Sequence, residues 1–177
     1  MSGAGKIIVI ASGGRQVTAG VQLYPPSAAN PVTPAPVAGD LYYNTTIHEL
    51  MFYDAGRGKW LANDTETIYA GRNGNTLDGN FFRGIDGLLL NAANVGIPVL
   101  KGTLVSLALS RGNAGAAVLE VLNNGTVVAT LANSVAGATR SDTMNANVSG
   151  GLISFRNQVG GSTMTDVQII AIFKKRP

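Results

Sequence analysis

The chain has 177 residues, of which 45% are hydrophobic, only 13% are charged and 23 are glycine, with a net charge of +3 and no cysteine. This composition excludes disulfide frameworks and thiolate metal sites, argues against a helical protein, and allows one ordinary domain or two small ones. The scattered Lys and Arg residues form no stripe, so nucleic acid is not an expected partner, and no apolar run approaches the ~20 residues that span a bilayer, so membrane insertion is not expected either.

Residues 1–24 open with a polar stretch, an apolar run at Ile7, Ile8, Val9 and Ile10, and a Gly13-Gly14 break. They read as an extended arm of one or two strands pairing with a neighbour, with Ile7, Ile8, Val9 and Ile10 as the candidate docking residues. The run is shorter than a signal-peptide core. Five prolines between residues 25 and 38 (Pro25, Pro26, Pro31, Pro34, Pro36) enforce extended backbone that cannot donate to a ladder, which reads as a semi-rigid linker. Residues 39–62 read as a small β-meander. Leu41-Tyr42-Tyr43 and Leu50-Met51-Phe52-Tyr53 have the aromatic, alternating character of strands, a third ends at Trp60, and Asn44-Thr45-Thr46 and the 54–58 segment supply turn chemistry. A meander of about 22 residues cannot enclose a core of its own. Tyr42, Tyr53 and Trp60 are therefore expected to pack on another subunit or domain.

A larger β region is expected over residues 67–177. Its clearest local signal is Asn124-Gly125 between two strand-like runs, which favours a primed hairpin turn. Further strands are expected at 67–70, 81–90, 99–110, 143–148, 152–156 and 166–173, and short strands at such spacing indicate a β-sandwich or jelly roll. The last of them places Val167, Ile169 and Phe173 on one face and Ile170 and Ile172 on the other, so both faces are apolar. A small sandwich has one inside. The second face needs cover, from a loop or arm of the same chain or from a sister subunit on a symmetry axis.

The sequence offers little chemistry. His48 is the only histidine and lies at an expected meander turn, no Ser sits in a Gly-x-Ser-x-Gly elbow, and the glycines before Lys6 are followed by Ile7 rather than Ser or Thr. Residues 71–80 form an Asn- and Gly-rich stretch that could offer oxygen ligands to Ca²⁺, yet with Asp78 as its sole carboxylate it reads as a turn-forming loop. No catalytic residue, metal site or cofactor is expected. Tyr42, Tyr53, Trp60 and Tyr69 would also suit a sugar-stacking platform, which leaves a host-surface glycan as an alternative partner.

Gly39-Asp40-Leu41-Tyr42-Tyr43-Asn44, followed by Tyr53-Asp54 and Trp60, resembles a module that recurs in bacteriophage fibre and other virion proteins. The 97–103 segment, the Asn124-Gly125 hairpin and the closing strand before Lys174-Lys175-Arg176 resemble the trimeric, tumour-necrosis-factor-like jelly rolls at the ends of collagen-like spore-surface and phage appendage proteins. No collagen-like repeat is present. The resemblance implies a homotrimeric, non-enzymatic structural protein on the virion surface, a capsid decoration protein, head fibre or short tail appendage. Residues 1–24 would dock on capsid or tail proteins, with Val167, Ile169, Ile170, Ile172, Phe173, Tyr42, Tyr53 and Trp60 between subunits. A carbohydrate-binding adhesin is the competing class.

Overall fold

The computed structural model describes residues 22–91 and 94–177, so Ile7, Ile8, Val9 and Ile10 lie outside the described residues. The described chain is all-β, with a three-stranded sheet followed by an eight-stranded antiparallel sheet, consistent with a small meander and a β-sandwich. It divides into two compact units: the smaller extends to Asp64 and takes in Arg176–Pro177, and the larger is Thr65–Lys175.

In the smaller unit, β1 (Leu41–Asn44), β2 (Glu49–Asp54) and β3 (Lys59–Ala62) pair antiparallel in chain order. Their turns are where the sequence implies them, with His48 at φ 55° closing the first and Gly58 at φ 64° the second. The residues expected as the start of a linker do something different. Leu23 bridges Leu41 and Ser27 bridges Asn44 in parallel, through Tyr24 N–H to the Leu41 carbonyl at 2.8 Å and Ser27 N–H to the Tyr43 carbonyl at 3.0 Å. Pro25 and Pro26 fall between the two bridges, on an edge where a missing N–H costs little.

A parallel pair needs a crossover of about a dozen residues. The proline-rich stretch is that crossover, so residues 25–38 are not a spacer. It lies over one face of the meander, accepting the Trp60 indole N–H at the Pro31 carbonyl (3.0 Å) and the Tyr24 hydroxyl at the Pro34 carbonyl (2.7 Å). Proline suits this path because its carbonyl remains a full acceptor while its ring fixes the backbone.

The larger unit comprises β4 (Thr65–Thr76), β5 (Arg83–Gly84), β6 (Ile97–Arg111), β7 (Ala117–Asn123), β8 (Thr126–Asn133), β9 (Gly137–Ser141), β10 (Ala146–Asn157) and β11 (Met164–Lys175). The sheet path is β5-β4-β11-β6-β10-β7-β8, with β9 also on β6. One edge of β6 pairs with β10 and then β9, while the other carries β11. The second half of β10 pairs with β7, and its opposite edge bonds to residues 79–82, through Phe82 N–H to the Phe155 carbonyl at 3.0 Å and Gly79 N–H to the Asn157 carbonyl at 2.8 Å. Those residues lead directly into β5, which pairs with β4. The path from β4 through β11, β6 and β10 therefore returns on itself. Phe82, Leu107, Leu109, Ile153, Phe155 and Phe173 are among the buried side chains inside it.

Asn124 and Gly125 form the expected turn, with φ 49° and 82°. Three expectations change. The 71–80 stretch is strand as far as Thr76, because Gly71 lets β11 come close: a Cβ there would lie 2.3 Å from the Val167 carbonyl oxygen. The 143–148 and 152–156 strands are one strand, β10, whose Gly150 and Gly151 adopt φ 86° and 91° inside it. The 81–90 segment is not one strand: Gly87 N–H bonds the Gly84 carbonyl at 2.9 Å and reverses the chain, so Arg83–Gly84 pairs with β4 while Leu89 folds back to bridge Arg83.

Candidate functional site

Each residue of the Gly39-to-Trp60 pattern has a physical task within its own unit. Gly39 adopts φ 86°, a left-handed conformation that side chains resist. Asp40 is fully buried, and its two carboxylate oxygens accept Gln22 N–H at 2.7 Å and Val37 N–H at 2.9 Å, so one side chain clamps both ends of the crossover. Tyr42 donates its hydroxyl to Asn30 Oδ1 at 2.6 Å and accepts from Asn44 Nδ2 at 2.9 Å. Burial raises the Tyr42 phenol above its ordinary pKa, opposed in part by the Asn44 hydrogen bond. Asn44 Oδ1 caps the first turn by accepting Thr46 and Ile47 N–H at 2.9 and 3.0 Å.

Trp60 is the hub. Tyr24, Tyr42 and Tyr53 meet it edge-on at centroid distances of 5.6, 4.9 and 5.3 Å, within the range that favours aromatic pairs beyond their buried area. Tyr42 and Trp60 are thus enclosed by the chain's own crossover and present no face to a sister subunit, which corrects their expected place between subunits. Tyr53 shares their side of the meander and is half-buried.

The opposite side of the same meander is the open one. Strand alternation puts the fully buried Leu61 and the charged Asp54 at one end of this side, and Leu41, Tyr43, Leu50 and Phe52 across the rest, joined by Leu23 through its bridge to Leu41. Leu23, Tyr43 and Leu50 are 48%, 39% and 46% exposed, and these three carry no charge, nor do Leu41 and Phe52. Sequence reasoning missed them by treating the aromatic residues as one set. Tyr42 and Tyr43 are adjacent and so face opposite ways.

In β11, Val167, Ile169 and Phe173 point into the sandwich core and are buried, which removes them from the expected interface. Ile170 is 39% exposed and Ile172 half-buried on the outer face. Across the ladder Ile170 aligns with Tyr69 on β4 and Ala108 on β6, an uncharged outward row that ends at Arg140 on β9. Tyr69 is exposed.

Among the described residues no group of three or more His, Cys, Asp or Glu gathers as a metal site. Asp78 accepts Gly160 N–H at 3.1 Å and so ties two loops together. A partly buried ion pair of the larger unit, Arg156 Nε to Glu120 Oε2 at 2.7 Å, has the Arg156 guanidinium over the Phe81 ring and helps fix residues 79–82 to β10. What the surfaces offer is contact area: two partly exposed apolar patches, one on each unit.

No protein-family model matches the chain, and no curated protein does.

Proposed function

We propose that this chain is a non-enzymatic structural protein of a bacteriophage particle, a homotrimeric surface component such as a capsid decoration protein, head fibre or short tail appendage. The observation that carries the reading is the apolar patch on the outer side of the meander, where Leu23, Tyr43 and Leu50 stand open on a chain with few charges to keep it apart from its copies. The Gly39-to-Trp60 resemblance to virion modules points the same way, and the Tyr69–Ile170–Ala108 row offers a second uncharged contact on the larger unit. Closed cyclic assembly is the common fate of such self-complementary surfaces. Of the arm expected over residues 1–24, Gln22, Leu23 and Tyr24 are engaged in the meander, and Ile7, Ile8, Val9 and Ile10 are the proposed attachment to capsid or tail proteins.

Analytical ultracentrifugation at micromolar concentration tests it. A trimer that dissociates in Leu50→Glu, together with co-sedimentation of the wild-type protein with phage particles, supports the reading. A stable wild-type monomer overturns it.

A further inference from the structure

The smaller unit contains an open cleft of about 360 Å³ whose lining includes Asn30, Pro31, Tyr53, Lys59, Trp60 and Arg176. That volume is within the range of small-molecule sites, which combine apolar and aromatic walls with a few placed polar groups. Here the wall is ring surface, from Tyr53, the edge of Trp60 and the pyrrolidine of Pro31, and the polar groups are cationic. No Asp or Glu side chain belongs to the lining. Asp54, the nearest acid in sequence, is engaged with Arg57 in an ion pair of 2.5 Å.

Two further observations show that positive charge is concentrated there. Arg176 Nε is buried with no hydrogen-bond partner. Burial, then the Arg176 and Arg57 guanidiniums, hold the Lys59 ammonium below its ordinary pKa, so the cations repel one another across the site. An anion placed between them relieves that repulsion and gives the Arg176 donor an acceptor.

We propose that this cleft is a binding site for an acidic saccharide, with the sugar carboxylate held by Arg176 and Lys59 and the sugar ring against Tyr53 and Pro31, beside the exposed edge of Trp60. The rings select the ligand class. Inorganic phosphate would use the cations and leave the aromatic wall bare. An extended acidic peptide would seek backbone acceptors, and the Pro31 carbonyl is already taken by the Trp60 indole. All the lining side chains come from one chain, so the site stands whether or not the protein forms the trimer proposed above.

Trp60 is the only tryptophan, so its fluorescence reports on this cleft alone. Titration of the full chain with trigalacturonate is expected to give a saturable change. The fully methyl-esterified trisaccharide, which keeps the rings and lacks the charge, is expected to give none. Arg176→Gln lies outside every strand and is expected to weaken binding about tenfold, the scale of one charge-assisted hydrogen bond. Lys59→Gln is expected to do the same, with circular dichroism confirming the fold of both variants. The proposal is overturned if trigalacturonate gives no saturable change, if the methyl ester binds equally well, if Arg176→Gln binds as the wild type does, or if phosphate or a hexaglutamate peptide binds as tightly.

Discussion

The indole nitrogen of Trp60 donates to the carbonyl oxygen of Pro31 at 3.0 Å, joining a meander strand to a crossover 29 residues earlier. Trp60→Phe keeps an aromatic ring and loses this bond, with an expected cost of ~1 kcal/mol. Trp60→Ala also empties the space between three tyrosines and is expected to cost ~3–5 kcal/mol. Urea denaturation followed by circular dichroism distinguishes the two. Equal destabilisation by both variants would mean that the hydrogen bond, rather than ring packing, is what holds the crossover down.

Asp40 is the second fastening. Its carboxylate satisfies two backbone N–H groups at opposite ends of the crossover, and hydrogen bonds to a charged group contribute more than neutral ones. Asp40→Ala is expected to cost ~2–4 kcal/mol and to expose residues 25–38 to proteolysis while leaving the larger unit folded. Limited proteolysis with mass spectrometry reads this directly. A fragment pattern unchanged from wild type would contradict it.

High pH should loosen the smaller unit through Tyr42. Burial raises the folded phenol above the ordinary value of 10.0, so the folded state holds the proton more tightly than the unfolded chain does. This contribution to stability is fully present below about pH 10 and is lost as the pH rises through the folded value. Tyr42→Phe should flatten the fall in the urea midpoint above that pH. Superimposable wild-type and variant pH profiles would rule it out.

In the larger unit, Gly71→Ala puts a methyl carbon 2.3 Å from the Val167 carbonyl oxygen, a backbone atom with no rotamer to yield. The expected cost is ~2 kcal/mol or more, felt as faster hydrogen exchange along β4 and β11. Wild-type exchange in these two strands would show that the pairing is not as close as described.

Asn124 does more than form its turn. Its side chain accepts Leu152 N–H at 2.9 Å and donates to the Gly150 carbonyl at 3.0 Å, fastening the β7–β8 hairpin to β10. Asn124→Gly preserves the left-handed backbone but removes both bonds, with an expected loss of ~1–2 kcal/mol in thermal or urea denaturation. A neutral result would leave turn geometry as the residue's whole contribution.

Local signals were legible in the sequence wherever one or two residues determine the backbone. Asn124-Gly125, the two meander turns and the two-faced character of β11 are of this kind. Non-local relations were not legible. Nothing in the proline spacing says that Leu23 will bridge Leu41 in parallel, because that pairing is decided by a distant strand. Likewise Ser149-Gly150-Gly151 carries the composition of a loop, yet β10 runs through it because β6 pairs with Ser149 and Gly151 while the Asn123 side chain bonds Ser149 N–H and the Gly150 carbonyl. At the candidate interface, the error was to group Tyr42 and Trp60 with the open surface. Alternation could have separated Tyr42 from Tyr43, but the identity of the covered side depended on the crossover.

Arg176 and Pro177 belong with the meander although the whole of Thr65–Lys175 intervenes. A ribosome releases the chain from its amino end, so the meander and its proline-rich cover emerge before the larger unit, while the guanidinium that completes the cationic cleft is translated only after it. The cleft therefore cannot acquire its full charge on a polypeptide that has not yet been extended through the larger unit. Its capture of an anion would mark chains whose synthesis has passed through the larger unit.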